Sequence, residues 1–276
     1  MSLKICVLAS GSKGNCTYLA SETTSILIDA GVSRKQIVER LRKIDVDIAD
    51  IDGICVTHEH SDHVSGLDVL VRNHPLSLYG NRGTVEALFH KMKKRQLHWN
   101  IFTNGCEFDI GDLQIEAFSV PHDAYDPVGF HVTCGDVRVA VCTDLGLPTA
   151  LIRQRLKNCH AVILEANHDE HLLQQSSRPW SLKQRVLGRQ GHLSNAQAGD
   201  VIREIAHDEL QQVFLAHLSE ECNQGDLALS AAQERLAETP YKQAKVSLTY
   251  AHQISECWTY EPRSQTDPVC IQSAEV

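Results

Sequence analysis

The sequence lacks any Cys-x-x-Cys pair, although it contains 10 cysteines among its 276 residues. The cysteines are scattered, without the spacing typical of a zinc knuckle or of a disulfide framework. We therefore expect reduced thiols, and these are typical of a cytoplasmic protein.

Long apolar runs are also missing. No window approaches the roughly 18 consecutive apolar residues that cross a membrane. The first residues hold only the short apolar run ICVLA, which is shorter than the roughly 7–15 residues in the core of a signal peptide. We expect neither a membrane span nor a secretion signal.

An excess of basic charge is absent as well, since the formal net charge is −9. This argues against nucleic-acid binding through bulk electrostatics but allows a local basic groove. With 42% hydrophobic residues, the chain can bury one sizeable core. We predict a single domain over residues 1–260 and a loosely ordered tail over residues 261–276, where the periodicity is lost.

The chain does contain short β-branched runs that alternate with amphipathic segments. Strands are predicted for LKICVLA, CTYLAS, TSILIDA, GICVTH, LQIEAFSV, VGFHVTC, VRVAVCTD, AVILEA and QVFLAHL. A helix capped by Ser33 should present Ile37, Leu41 and Ile44 on one face, and VSGLDVLVRN should form another short helix. Further helices should begin near Thr84, Pro148, Ser194 and Asp226. This order predicts an α/β fold in which helices flank the sheets.

The stretch THEHSDHV, from Thr57 to Val64, holds three histidines and an aspartate at the end of a predicted strand. Residues two apart in an extended segment point the same way, so His58 and His60 can converge on one metal ion. Asp62 and His63 lie where the chain begins to wind, and they point toward a neighbouring position. The pattern predicts a loop that serves two metal ions.

Three more ligand candidates end predicted strands elsewhere in the chain. His122 follows LQIEAFSV, Asp144 ends VRVAVCTD, and His217 ends QVFLAHL. Loops that leave strand ends converge on a site at one edge of a sheet. We therefore expect these side chains to complete the centre.

These residues resemble the metallo-β-lactamase fold hydrolases, whose hallmark is His-x-His-x-Asp-His. The stretches SGSKGNC, THEHSDHV, VPHDAYDPVGF, TDLG, LEANHDEHLL, GHLSN and LAHLS carry the resemblance across nearly the whole chain. The sequence is most similar to the YycJ/WalJ group of bacterial enzymes, which are similar to 5′→3′ DNA exonucleases, and more distantly to tRNase Z and PhnP phosphodiesterases.

The resemblance implies a four-layer αββα sandwich with a dinuclear centre. By this resemblance His58, His60 and His122 would hold one ion, Asp62, His63 and His217 would hold the other, and Asp144 would bridge them. The donor types fit Zn, Mn or Fe without selecting among them. Coordinated water can reach a pKa near ~7, which provides a nucleophile that Asp62 can orient.

Glu165 and His192 resemble the pair that protonates the leaving oxygen in tRNase Z-like enzymes, so both are predicted to be catalytic with Asp62. The basic segment from Arg178 to Gln190 contains Lys183 and Arg185, which could bind phosphates, and Trp180, which could stack on a base. Additional substrate contacts are predicted at Ser10, Ser12, Asn15, Asn167, His168 and Ser194.

The function predicted from these features is phosphodiester hydrolysis in nucleic acid, with DNA favoured over RNA. A PhnP-like enzyme for small cyclic phosphates would use the same machinery. A glyoxalase-like thioesterase would share the metal loop but gives no role to Glu165 and His192, and a non-enzymatic scaffold would not need all seven ligands. The metal, the choice between exo and endo cleavage, its polarity and the oligomeric state stay open.

Overall fold

Fourteen strands form two seven-stranded sheets in this computed structural model, which describes residues 2–91 and 97–262. The first sheet contains β1 (Lys4–Ala9), β2 (Cys16–Ala20), β3 (Ser25–Ile28), β4 (Gly53–Cys55), β5 (Ser77–Asn81), β6 (Trp99–Phe102) and β14 (Trp258–Thr259). The second contains β7 (Glu107–Ile110), β8 (Leu113–Ser119), β9 (Val128–Cys134), β10 (Val137–Cys142), β11 (Ala161–Glu165), β12 (Gln212–Ala216) and β13 (Lys245–Leu248).

Both sheets begin with antiparallel hairpins and continue with parallel strands. In the first sheet, β1, β2 and β3 pair antiparallel, and β3 to β6 pair parallel. In the second sheet, β7 to β10 pair antiparallel, and β10 to β13 pair parallel. The parallel strands of each sheet thus place their carboxyl ends at one edge, which is the edge where open α/β sheets bind ligands.

The helices of the described residues lie between these strands in sequence. They are α1 (Arg34–Arg42), α2 (Ser61–Val64), α3 (Leu67–Asn73), α4 (Arg82–Lys91), α5 (Ala150–Leu156), α6 (Glu170–Gln175), α7 (Trp180–Val186), α8 (Asn195–Ile205) and α9 (Gly225–Ala237). Ser33 caps α1 and Ser194 caps α8, each in a capping box with the glutamine three residues later. Both helix starts confirm the sequence prediction.

Three apolar clusters define four layers. One lies between the sheets and includes Ile5, Phe130 and Phe214. A second packs α1 and α3 on the outer face of the first sheet, and a third packs α5, α8 and α9 on the outer face of the second. Two sheets that share one core and carry helices outside form the αββα sandwich, so the predicted fold class is confirmed.

Several local predictions were wrong or incomplete. Helix α1 ends at Arg42, so Ile44 lies beyond it, although its side chain still packs against the outer cluster of the first sheet. The predicted helix VSGLDVLVRN is confirmed only as α3, because the chain already forms α2 within the metal loop. Strands β5, β6, β7, β13 and β14 and helices α6 and α7 were not predicted. Of the predicted tail, residues 263–276 lie outside the described residues.

Candidate metal centre

The candidate centre lies where the parallel strands of both sheets end. The loop after β4 carries His58 to His63, the turn after β8 carries His122, and Asp144 follows β10. Glu165 is the last residue of β11, and His217 follows β12. All seven predicted ligands thus meet at one edge of the sandwich.

The backbone turns sharply after β3, β10 and β12. Asp29, Asp144 and His217 have φ angles of 63°, 57° and 57°. The left-handed region is uncommon for residues other than glycine. Backbone strain of this kind clusters at functional sites, where packing holds it in place.

A close approach of two chain segments holds the metal loop in position. A Cβ atom at Gly31 would lie 1.6 Å from the carbonyl oxygen of Asp62, so only glycine leaves room for the loop there. The same carbonyl accepts a hydrogen bond from the backbone N–H of Asn15 at 2.7 Å. The loop is therefore fixed by its neighbours as well as by its own sequence.

The ligand atoms form overlapping groups whose members lie within 4.8 Å of one another. These groups are His58 with His60 and His122; Asp62 with His63 and His217; His58 with His63 and Asp144; and Asp144 with Glu165, His192 and His217. Asp144 lies between the two predicted triads: its Oδ2 is 3.0 Å from Nε2 of His63, and its Oδ1 is 3.8 Å from Nε2 of His122.

The donor atoms fit divalent metal ions. Nε2 of His58 is buried and has no hydrogen-bond partner among the described residues. Leaving such a group unsatisfied costs about 1–3 kcal/mol, and coordination would remove that cost. Burial and the neighbouring His63 hold the pKa of His58 well below its usual range, which favours the neutral imidazole that binds metals.

Outer contacts orient two of the imidazoles. Nδ1 of His63 donates to Oδ2 of Asp29 at 2.6 Å, and Asp29 also accepts from the backbone N–H and the hydroxyl of Thr57, each at 2.8 Å. Nδ1 of His122 donates to the carbonyl oxygen of Gly191 at 3.1 Å. Each contact leaves Nε2 facing the centre, as is usual for metal-binding histidines.

Asp29 is a functional candidate that sequence reasoning missed. It is 3% exposed and follows β3, just as Asp144 follows β10. Burial alone would lower the pKa of His63, but the charge of Asp29 and that of Asp144 raise it well above its usual range. The sequence feature that could have identified Asp29 is its position as an aspartate at the end of the apolar run TSILID.

Glu165 and His192 form a hydrogen-bonded pair beside the centre. Nδ1 of His192 donates to Oε1 of Glu165 at 2.7 Å, and Oε2 of Glu165 accepts from the backbone N–H groups of Leu145 and Leu193, each at 3.0 Å. Burial would raise the pKa of Glu165, but the neighbouring His192 lowers it to about 2. In return, Glu165 raises the pKa of His192 against the effect of burial.

Four residues that were predicted to contact substrate instead make hydrogen bonds inside the protein, near the candidate ligands. Ser10 accepts from the backbone N–H of His217 at 2.7 Å, and the amide of Asn167 donates to the carbonyl oxygen of His217 at 2.8 Å. Nδ2 of Asn15 lies 3.1 Å from Nε2 of His63, and Ser194 caps α8. All four are buried, so the structure gives them partners inside the protein instead of a surface open to substrate.

The other predicted contacts lie in different surroundings. The ammonium group of Lys183 donates to the carbonyl oxygens of Gln174 and Ser176 at 2.6 and 2.7 Å, so it braces the segment between α6 and α7. Arg185 has a 56% exposed side chain that pairs with Asp123, next to His122. His168 is buried, and neither ring nitrogen has a hydrogen-bond partner within residues 2–91 and 97–262. Ser12 is exposed.

A two-sheet αββα sandwich with a histidine and aspartate centre at its edge defines a metal-dependent hydrolase of the metallo-β-lactamase fold. Residues 24–217 match the family described as the beta-lactamase superfamily domain. The chain belongs to this family. Among the described residues, none of the helices combines the length and the apolar character that crossing a membrane requires.

Relatives extend over most of the chain. It is 36% identical over 239 residues to exodeoxyribonuclease YycJ of Bacillus anthracis, which covers 86% of this chain and 90% of the relative. It is also 36% identical over 243 residues to exodeoxyribonuclease WalJ of Streptococcus pneumoniae, with the same coverage. The metallo-β-lactamase fold protein YhfI of Bacillus subtilis superimposes with a TM-score of 0.71 at 17% identity, covering 94% of this chain and 99% of YhfI.

Proposed function

We propose that the chain is a nuclease that hydrolyses phosphodiester bonds with two divalent metal ions, either Zn, Mn or Fe. The observation that carries the proposal is the pair of triads, one of three histidines and one of two histidines with Asp62, which have Asp144 between them and are flanked by Glu165 and His192. Similarity to two exodeoxyribonucleases along most of the chain supports DNA as the substrate. The proposal keeps the cytoplasm, predicted from the scattered cysteines, as its location, and residues 1–260 as one domain.

The side chains of the two triads have distinct tasks in this proposal. His58, His60 and His122 would hold one ion, and Asp62, His63 and His217 the other, with Asp144 shared. Bound ions of this kind activate water and stabilise charge on phosphate oxygens. Asp62 is partly exposed and lies 3.3 Å from Nε2 of His217, so its carboxylate can bind metal and also orient the attacking water.

His192 is placed to donate a proton to the leaving oxygen. Its side chain is 18% exposed, whereas that of Glu165 is fully buried. Because Glu165 holds Nδ1, the other ring nitrogen is left to face the substrate. Glu165 is then a positioning residue that stabilises the protonated imidazole, and His192 is the catalytic acid.

A groove beside the first triad carries two cationic side chains, Lys91 and Arg185, together with the carboxylates of Glu59 and Asp62. This cavity of about 500 Å³ is lined by His60, Asp62, Lys91 and Arg185, among others. Lys91 and Arg185 can contact phosphates of the strand, which are the usual contacts that position nucleic acid without reading its sequence. The groove therefore supports a polynucleotide substrate.

The proposal is tested by incubating the metal-reconstituted protein with end-labelled single- and double-stranded DNA and RNA. Bis-p-nitrophenyl phosphate, a small cyclic phosphate and a glutathione thioester are assayed in parallel. Cleavage of DNA together with bis-p-nitrophenyl phosphate supports a DNA nuclease. Cleavage of the cyclic phosphate alone would favour the PhnP-like alternative, and thioester cleavage alone would favour the glyoxalase-like one.

A further inference from the structure

A second cavity, of about 240 Å³, lies next to the centre and shares no lining residue with the groove of Lys91 and Arg185. Three chain segments form most of its lining: the loop 10–13 after β1, the residues 218–221 that follow the ligand candidate His217, and the residues 249–252 after β13; Arg178 also lines it. None of the seven predicted metal ligands lines this cavity.

Ser10 connects the cavity to the centre. Its hydroxyl accepts from the backbone N–H of His217 at 2.7 Å, and its own N–H donates to the carbonyl oxygen of Tyr250 at 3.0 Å. Ser10 thus contacts the end of β12, which carries the ligand candidate His217, and also the opposite wall of the cavity. A group bound in the cavity would therefore lie beside the residue that supports the backbone of His217.

The lining side chains match the parts of a nucleotide. Lys13 and Arg178 carry positive charge, and Ser12 offers an exposed hydroxyl. These side-chain types bind phosphate oxygens. Tyr250 is 39% exposed and lines the same wall, and exposed aromatic rings stack with bases of any sequence.

Glu220 and Glu221 also line the cavity, and each pairs with one of its two cations in the free protein. Lys13 lies 2.5 Å from Glu220, and Arg178 lies 2.9 Å from Glu221. The side chains of Lys13 and Glu220 are 70% and 46% exposed. Such exposed pairs are weak, so a phosphate can replace Glu220 as the partner of Lys13.

Volume limits what the cavity can hold. At about 240 Å³, it is smaller than the roughly 300–1,000 Å³ of sites for drug-sized ligands. A volume of this size suits a single nucleotide residue better than several residues of a strand. The larger groove of about 500 Å³ remains for the rest of the strand.

We propose that this cavity binds the terminal nucleotide of the substrate, with the end phosphate at Ser12 and Lys13 and the base against Tyr250. The inference rests on the proposed nuclease function. It gives a physical reason for cleavage that starts at the end of a strand. A phosphate on the 5′ end and one on the 3′ end offer the same chemistry. The experiment therefore tests both.

The test compares Lys13→Gln and Glu220→Gln with Lys35→Gln, an exposed lysine on α1 that serves as the matched control. The metal-reconstituted full chain is assayed on 5′-phosphorylated, 3′-phosphorylated, unphosphorylated and circular single-stranded DNA. Lys13→Gln should raise KM for one end-phosphorylated substrate about tenfold, which is the loss expected for one hydrogen bond to a charged group. Glu220→Gln should lower the same KM, because it frees Lys13.

Bis-p-nitrophenyl phosphate separates this inference from the proposed function. All three variants should hydrolyse it at the rate of the unmodified protein, because it does not need the cavity. If Lys13→Gln and Glu220→Gln match Lys35→Gln on every DNA, or circular DNA is cleaved as fast as linear DNA, the cavity assignment is overturned while the nuclease stands. If the unmodified protein cleaves neither DNA nor the small diester, the nuclease proposal itself fails.

Discussion

Oε1 of Glu165 lies 2.7 Å from Nδ1 of His192 and only 3.2 Å from Nδ1 of His217. One buried carboxylate thus contacts both the proposed acid and a ligand candidate. Asp144, Glu165, His192 and His217 can also be grouped as metal donors. The role of His192 therefore has to be tested together with metal content.

His192→Ala should reduce cleavage of a natural phosphodiester by about a hundred- to ten-thousandfold, the usual contribution of a general acid. Bis-p-nitrophenyl phosphate should lose far less, because its leaving group is a weak base that needs little protonation. Steady-state rates on both substrates, with metal content by elemental analysis, measure the effect. Equal losses with metals retained would contradict the acid role, and loss of an ion would make His192 a ligand.

Purified protein reconstituted under reducing conditions should contain about two metal ions per chain, as expected from two triads that share Asp144. Asp144→Ala should lower this stoichiometry. Asp29→Asn should instead keep two sites at saturating metal but weaken affinity about 10–100-fold, because it removes no predicted ligand and weakens the contact that orients His63. Elemental analysis and metal titration separate these results, and absence of bound transition metal under any condition would refute the centre.

Arg185→Gln should weaken DNA binding and reduce the slope of log affinity against log salt by about one, because it removes one phosphate contact. Turnover of bis-p-nitrophenyl phosphate should stay nearly unchanged. Fluorescence anisotropy at several salt concentrations measures the slope. An unchanged slope would exclude Arg185 from the strand path.

Lys183→Met is the matched comparison on the same helix. It should leave the salt slope intact and lower the free energy of unfolding by about 1–3 kcal/mol, because two carbonyl oxygens lose their donor. Urea unfolding measures this loss. A reduced salt slope in Lys183→Met would restore Lys183 as a phosphate contact.

Alkylation of Cys257 should increase as the pH rises through about 7, because the thiolate is the reactive form and the neighbouring thiol of Cys6 lowers the pKa of Cys257 to about 7. Cys6→Ala removes this neighbouring thiol, so the midpoint should move up toward the usual ~8.5. Mass spectrometry after pulses of iodoacetamide measures both, with exposed Cys106 as the accessibility control. A midpoint that is the same in both proteins would contradict the role of Cys6.

Local sequence was sufficient for much of the fold. The strands that form the centre of each sheet were predicted, because buried apolar runs and β-branched residues mark them. Capping residues identified the starts of α1 and α8. The missed strands are short or partly exposed; β14 has only two residues and exists because it pairs with β1. Pairing of that kind leaves no local pattern.

The sequence by itself determined which side chains meet at the centre, since a dense histidine loop and acidic or imidazole residues at strand ends are local features. Only the tertiary structure decided what each of them contacts. Asp29 reaches His63 across 34 positions, and Ser10 reaches His217 across 207. Lys183 and Arg185 are two positions apart, yet one is bound by backbone carbonyls and the other faces the groove. Burial and hydrogen-bond partners depend on which distant segments pack together, and a local pattern does not specify them.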